Sequence, residues 1–566
     1  MIRHAFRVIA VSAVTLGSLA TAQVPLELSW HFSPLPQSTG SFASRMSARD
    51  IDGDGFIDLV ATEAGADIFP MTNAGRCWVV FGPAFEPSNA LSMQAAQPDL
   101  VEQMGRGGCS LGDVNGDGEL DILVGAPDYH GGLPDPIGRA HLFFGPDYQT
   151  STAFLDPTPQ QNSRFGESVM LADVSGDGRA DVFVGAPHAT PAGLPPDSGE
   201  VYHWDATDLV TWTRLTSPQP MNFGWFGTSL DVAILDDGPA PEILIGSDRH
   251  LGGVLFRFDG PTLQHIDTVE PTLVIAVQFG DVGFAGDLTG DGIDDLLVEA
   301  PATHDIDRLG CRGAVFLMEG PLFTTASHVF FPIAADCDGG DSFGKETAVL
   351  DLDSDGALDI AITQPSSVGS ENRVQIFFGP NWQTVQTLGD FGTFIAQGFG
   401  AALAVGDVDG DAHEELFVAT PQGSSVGSFA LYDVQTLTSD VTALSLGAGG
   451  DVHYSLDLGP AHAGEIYLAA LSLSGEWPGL VVAPGVYLPL NVDVLTYIGL
   501  SLLNTPVLPG FVGVLDAGGE AAFTFHVGAG MFPSLAGESL TVTAIAATSS
   551  SHLTVASSGA TVALDP

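Results

Sequence analysis

The chain has 566 residues, with 16 Lys+Arg against 69 Asp+Glu and a formal net charge of -53. That balance excludes nucleic acid and anionic membrane surfaces as partners held through a basic face. A hydrophobic share of 45%, with 70 Gly and 34 Phe, excludes a disordered or low-complexity chain, and the length exceeds one ordinary core.

The first predicted element is a secretory signal over residues 1–22. Arg3 and Arg7 supply its positive region, Val8 to Leu19 is short and mostly apolar, and Ala20-Thr21-Ala22 is a small-residue cleavage site before Gln23. The apolar run falls short of a bilayer span and no later stretch is long enough, so export without membrane insertion is expected. A predicted strand, Leu26 to Phe32, follows.

Beyond it one unit recurs with a period of about sixty residues, within reach of a propeller repeat with long loops. It opens on Phe-Gly: Phe42 (followed by Ala43), Phe165-Gly166, Phe226-Gly227, Phe279-Gly280, Phe343-Gly344 and Phe399-Gly400; the second unit has Gly105-Arg106 in that place. Acidic loops follow, beginning at 50, 113, 173, 234, 287, 351 and 407. Next come an apolar run such as Ile122 to Pro127 or Val182 to Pro187, a turn-rich loop, and a run ending in Gly-Pro, as in Phe81-Gly82-Pro83, Phe144-Gly145-Pro146 and Phe378-Gly379-Pro380. Counting the run ahead of Phe-Gly, for example Val329 to Pro332, each unit offers four short runs bounded by Gly and Pro, which read as strands with no helical period. Seven four-stranded units predict a β-propeller, which limits open sheet edges by closing into a ring; open solenoids use shorter units and end caps. The last unit runs out after Phe429 to Tyr432, so Leu26 to Phe32 is predicted to complete the seventh blade.

The acidic loops place oxygen side chains at positions 1, 3, 5 and 9, with Gly at position 6 for the reversal, a spacing that converges hard oxygen ligands on a divalent cation. Asp50/Asp52/Asp54/Asp58 and Asp351/Asp353/Asp355/Asp359 carry four carboxylates. Asp113/Asn115/Asp117/Asp121 substitutes an amide, and Asp173/Ser175/Asp177/Asp181 and Asp287/Thr289/Asp291/Asp295 substitute a hydroxyl, which predicts weaker binding. Asp407/Asp409/Asp411/Glu415 keeps four carboxylates with Ala412 in place of Gly. In the fourth copy Ile234 and Gly238 occupy positions 1 and 5, so no metal is expected there despite Asp236, Asp237 and Glu242. An EF-hand would need Glu at position 12, where the first loop has Ala61.

The Phe-Gly opening, the Asp-x-Asp-x-Asp-Gly-x-x-Asp loop and the Gly-Ala-Pro ending resemble FG-GAP repeats, those of the integrin α-subunit propeller, from about Leu26 to Leu437. The resemblance implies a seven-bladed propeller with Ca2+ in loops between strands, and adhesion or ligand binding as its role.

Four cysteines in an exported chain predict two disulfides. Of the three pairings, Cys77–Cys109 and Cys311–Cys337 are favoured because each joins neighbouring parts of the array. Catalytic motifs are weak. Gly423-Ser424-Ser425-Val426-Gly427 matches a nucleophile elbow only formally, since that motif needs a strand-to-helix turn. The 15 histidines show no metal spacing, and His141 reads as a packed strand residue.

Residues 438–566 are almost free of basic side chains and alternate apolar and polar residues at Val452 to Leu456, Ile466 to Leu468, Ala521 to Phe525, Leu540 to Thr543 and Ala560 to Leu564. They predict a small β-sandwich. Ala463 to Tyr467, the Ser474-Gly475 to Pro478-Gly479 turn and Leu488-Pro489-Leu490 resemble a C-terminal module of exported planctomycete proteins, which has no assigned activity and leaves surface attachment, export sorting and carbohydrate contact open. The expected organisation is therefore all-β: signal 1–22, seven-bladed propeller 23–437, and a C-terminal sandwich-like domain 438–566. The expected role is a secreted or cell-surface, calcium-binding, non-enzymatic adhesion or ligand-binding module for an extracellular protein or glycan. A polysaccharide-active enzyme and a structural surface component are the alternatives.

Overall fold

The computed structural model describes residues 26–32, 40–83, 85, 89–235, 241–250, 252–270, 278–304, 312–320, 323, 325–332, 342–352, 356–365, 372–389, 398–408, 414–420, 428–434, 436–459, 462–475, 480–483, 486–488, 490–549 and 552–566. The signal segment, Cys311, Cys337 and the Gly423 to Gly427 motif lie outside them.

Seven four-stranded antiparallel sheets succeed one another. After β1 (Leu26–Phe32), the first blade holds β2 (Phe42–Arg49), β3 (Asp58–Glu63), β4 (Arg76–Val80) and β5 (Leu91–Met93). The second holds β6 (Cys109–Gly112), β7 (Asp121–Ala126), β8 (Arg139–Phe144) and β9 (Thr150–Leu155), and the third β10 (Val169–Ala172), β11 (Asp181–Ala186), β12 (Glu200–Trp204) and β13 (Trp212–Thr216). The fourth holds β14 (Phe226–Ala233), β15 (Glu242–Ser247), β16 (Val254–Asp259) and β17 (His265–Val269), and the fifth β18 (Asp281–Gly286), β19 (Asp295–His304), β20 (Arg312–Met318) and β21 (Ala326–Phe330). The sixth holds β22 (Thr347–Leu350), β23 (Asp359–Gln364), β24 (Arg373–Phe378) and β25 (Thr384–Gly389). The seventh has β26 (Leu403–Gly406), β27 (Glu415–Thr420) and β28 (Ser428–Val434) from its own unit, and β1 as its outer strand. The innermost strands touch in succession and β26 returns to β2, which closes the ring. The latch is as expected: β1 pairs antiparallel with β28 from Leu26↔Val434 to Phe32↔Phe429.

The Phe of Phe-Gly is the wedge between blades. Phe42, Phe165, Phe226, Phe279 and Phe343 are wholly buried, and Phe165 packs with Leu142 of the second blade and Trp204 of the third. This corrects the second unit, where Met104-Gly105 holds the place, one residue earlier than the eight-residue spacing implied. Gly75 bridges Met104 as Gly138 bridges Phe165 and Gly199 bridges Phe226. The bridge needs glycine: a Cβ on Gly138, at φ +77, would lie 1.9 Å from the Phe165 carbonyl oxygen.

Between the first two blades lies a buried ionic cluster. Glu102 accepts from the Arg139 guanidinium and lies 2.8 Å from His141 Nε2, while Arg139 sits 4.0 Å over the Tyr129 ring. Burial raises the Glu102 carboxyl, but the bonds from His141 and Arg139 outweigh it and hold the group below its ordinary range. His141 is thus the packed residue expected. Glu102→Ala would strand Arg139 in the interior; urea unfolding is expected to show a loss of about 3–5 kcal/mol.

The expected Cys77–Cys109 disulfide is not formed. The two residues pack in one cluster between adjacent blades, yet both are free thiols. Burial pushes Cys109 up to about 12 and Cys77 well above its ordinary range.

The C-terminal segment forms two facing sheets. One is β29 (Leu437–Ser439), β31 (Gly450–Asp457) and β36 (Glu520–Val527). The other orders β30 (Ala443–Ser445), β39 (Ala560–Asp565), β37 (Ser539–Ser549), β32 (Ile466–Ser472) and β35 (Val512–Val514), with β38 (His552–Ala556) on β37. Alternate residues Val452, Tyr454 and Leu456 meet Tyr467, Leu471 and Val542 in the core, as period-2 patterning requires. A hairpin of β33 (Leu480–Ala483) and β34 (Val486–Leu488) precedes an unanticipated helix, α1 (Val494–Ser501). It is started by a capping box in which Asp493 accepts from the Thr496 amide.

Candidate metal centres

Each acidic loop joins the first and second strands of a blade, so all lie on one face of the ring. The position-1 carboxylate organises the loop. Asp50 accepts from the amides of Gly53 (2.7 Å) and Gly55 (3.1 Å); Asp113, Asp173 and Asp287 each accept from the glycines three and five residues on. The position-5 carboxylates of Asp54, Asp117, Asp177 and Asp291 each accept from the amide two residues on, at 2.9 Å.

Position 9 has a second job that spacing did not reveal. Asp58, Asp121, Asp181, Asp359 and Glu415 are buried at the start of each second strand. Asp58 accepts from Ile51 (2.9 Å) with one oxygen and from Gly82 (2.8 Å) with the other. Asp121 does the same with Val114 and Gly145, Asp295 with Leu288 and Gly320, and Asp359 with Leu352 and Gly379. The carboxylate therefore staples its loop to the Gly-Pro turn between third and fourth strands.

In the first loop, oxygens of Asp50, Asp52 and Asp58 lie within 4.8 Å of one another, a gathering that Asp54 does not join. Loops carrying Asn115, Ser175 or Thr289 bring the same backbone path with fewer carboxylates. In the third loop Asp181 Oδ2 is buried without a hydrogen bond among the described residues and lies 3.8 Å from His203 Nε2. A buried carboxylate oxygen without a hydrogen bond, beside a set of hard oxygen donors, fits a divalent cation. Asp353, Asp355, Asp409 and Asp411 lie outside the described residues, as do Asp236, Asp237 and Gly238 of the fourth copy; Asp351, Asp359, Asp407 and Glu415 hold their loop positions.

The fourth copy shows how a blade manages without a cation. Glu242, at position 9, is buried and takes two bonds from Arg257, at 2.8 and 2.9 Å. A guanidinium neutralises the carboxylate there, and Ile234 at position 1 is half exposed to solvent.

Burial raises Asp58 from 3.8 to about 7, against the opposing pull of the Ile51 and Gly82 amides; Asp121 and Asp295 shift the same way for the same leading reason. The folded-state value exceeds the unfolded one. The stability it contributes is therefore full below about 3.8 and is lost as pH rises through about 7. Chelator-treated protein is thus expected to melt lower at pH 8 than at pH 6, with the difference reduced by added calcium; thermal melts at both pH values check this.

The fold defines a seven-bladed β-propeller with one acidic loop face. The FG-GAP repeat profile matches three of its units, at residues 105–143, 165–204 and 399–432, and the propeller is integrin-alpha-like. Integrin alpha-IIb of Mus musculus is 35% identical over 179 residues, 28% of this chain and 17% of the relative. Phosphatidylinositol-glycan-specific phospholipase D of Mus musculus is 24% identical over 404 residues, 61% of this chain and 46% of the relative. The chain thus spans less than half the length of these relatives. The solved Dos1 propeller aligns at 10% identity with a TM-score of 0.39, covering 71% of this chain and 93% of that one.

Proposed function

We propose that this protein is an exported, calcium-binding propeller that acts as a non-enzymatic adhesion or ligand-binding module for an extracellular protein or glycan. The observation that carries this reading is the repeated oxygen cage: six copies keep the same four side-chain positions, and the one copy that loses them answers its buried carboxylate with Arg257 instead. Ca2+ would be held by the side chains at positions 1, 3, 5 and 9, where it supplies positive charge to crowded carboxylates and stiffens the loops. Integrin-type relatives support the ligand-binding side of the reading. Residues 1–22 as a cleaved signal, and 23–437 and 438–566 as separate domains, belong to the same proposal.

Capture from a glycan array and an extracellular protein panel tests it. Selective binding that is lost in EDTA and restored by calcium is expected. Calcium-loaded protein that turns over a polysaccharide would instead establish the enzyme reading.

A further inference from the structure

Because every blade is antiparallel, the connections between second and third strands, and those from blade to blade, emerge on the face opposite the acidic loops. Cations gather there. Arg45 lies near the start of β2, Arg106 and Arg164 just ahead of β6 and β10, Arg249 between β15 and β16, and Lys345, the only lysine in the chain, just ahead of β22.

One of them, Arg45, reaches across to the residue that follows Lys345. Arg45 Nη1 lies 3.3 Å from Glu346 Oε1, joining the first and sixth blades across the seventh. At the matching positions of its repeat the seventh has Gly400, Ala401 and Ala402. Nη1 also donates to the Ser44 carbonyl oxygen, while Nε and Nη2 of Arg45 have no acceptor among the described residues. The Arg45 side chain is 41% exposed and Lys345 is exposed.

The repeat itself breaks at this spot. Four residues after the position-9 acid stand Thr62, Gly125, Gly185, Gly246, Thr363 and Ala419, small or hydroxyl side chains in six of the seven blades, and a Cβ on Gly125 would lie 2.2 Å from the Gly166 carbonyl oxygen. The fifth blade has Glu299 there, only 4% exposed. It is accommodated by a bulge in β18 that leaves Gly283 beside it: a Cβ on Gly283 would lie 1.6 Å from Thr347 Oγ1 and 2.7 Å from Glu299 Oε1. A buried carboxylate that breaks the repeat, with a glycine making room for it, marks a constructed feature.

We propose that this mouth binds a uronate-bearing glycan, its carboxylate on Arg45 and Lys345 and its hydroxyls against Glu346, with the buried Glu299 behind them. The assignment rests on the ligand-binding reading above. The unused fork of Arg45 suits a carboxylate. The adjoining carboxyl groups repel an all-acidic peptide but accept from sugar hydroxyls, and a neutral sugar leaves the Arg45 donors unanswered. Burial, then the neighbouring Glu346, raises Glu299 well above its ordinary range.

Titration calorimetry on the full, calcium-loaded chain tests this with a glucuronate-containing hexasaccharide, its carboxyl-reduced form and poly-aspartate. The uronate is expected to bind, with the other two at least about tenfold weaker. Lys345→Ala, at an exposed position, is expected to weaken uronate binding about tenfold with an unchanged melting temperature, and Glu299→Gln gives a second readout inside the mouth. Equal binding of the carboxyl-reduced form, equal binding of poly-aspartate, or indifference to both substitutions overturns the assignment. Calcium-dependent binding of another glycan or protein, untouched by Lys345→Ala, also overturns it while leaving the ligand-binding module standing. Absence of binding to any probe or panel member removes both.

Discussion

Stripping calcium with EDTA is expected to lower the melting temperature by on the order of 10 °C, and readdition is expected to restore it. Each occupied loop at a free ion concentration a hundredfold above its Kd adds about 2.7 kcal/mol. Six loops acting on one cooperative ring would supply on the order of 10 kcal/mol, and a propeller of this size shifts by about 1 °C per kcal/mol. The physical source is local. Asp50, Asp52 and Asp58 hold their oxygens within 4.8 Å of one another, and burial already drives Asp58 toward protonation. A cation removes both penalties. Asp50→Asn in the first loop should lower the calcium-dependent gain by about one sixth, whereas the same kind of change in the fourth copy, Asp236→Asn, should leave it unaltered. Differential scanning calorimetry with and without EDTA measures both.

Removal of residues 1–32 is the second large effect. Mature protein lacking β1 is expected to melt about 5 °C below the intact chain, because β28 loses the partner that runs from Leu26↔Val434 to Phe32↔Phe429. At about 1 kcal/mol net per backbone hydrogen bond the loss is about 5 kcal/mol. It also exposes a bare sheet edge at the closure of the ring, so concentration-dependent association should accompany the fall. Light scattering beside the melt separates this outcome from simple destabilisation; a truncated chain that melts like the intact one and stays monomeric would refute the latch.

Repetition made much of this legible. Six copies of one spacing announced the loops, and an incomplete seventh unit pointed to β1 as its missing strand. What escaped needed contacts between distant residues or a break in the pattern. The double use of Asp58 depends on Gly82, which is close only after the third strand folds back. Arg257 as the answer to Glu242 depends on strand pairing across β15 and β16. Met104 hid the second wedge because a flexible thioether fills the space that Phe fills elsewhere. The helix α1 went unread because eight residues are too few to display a helical period beside continuous apolar sequence. Glu299 was one carboxylate among 69 Asp+Glu until the ring placed it beside Thr347 of the next blade.

The most direct measurement is a crystal structure from protein grown in millimolar calcium, with the ions located by anomalous scattering. Ions in the loops that begin at Asp50, Asp113, Asp173, Asp287, Asp351 and Asp407, and none at Ile234, within a closed ring of seven sheets, are the predicted result. Loops without ions, or sheets arranged other than in that ring, would contradict it.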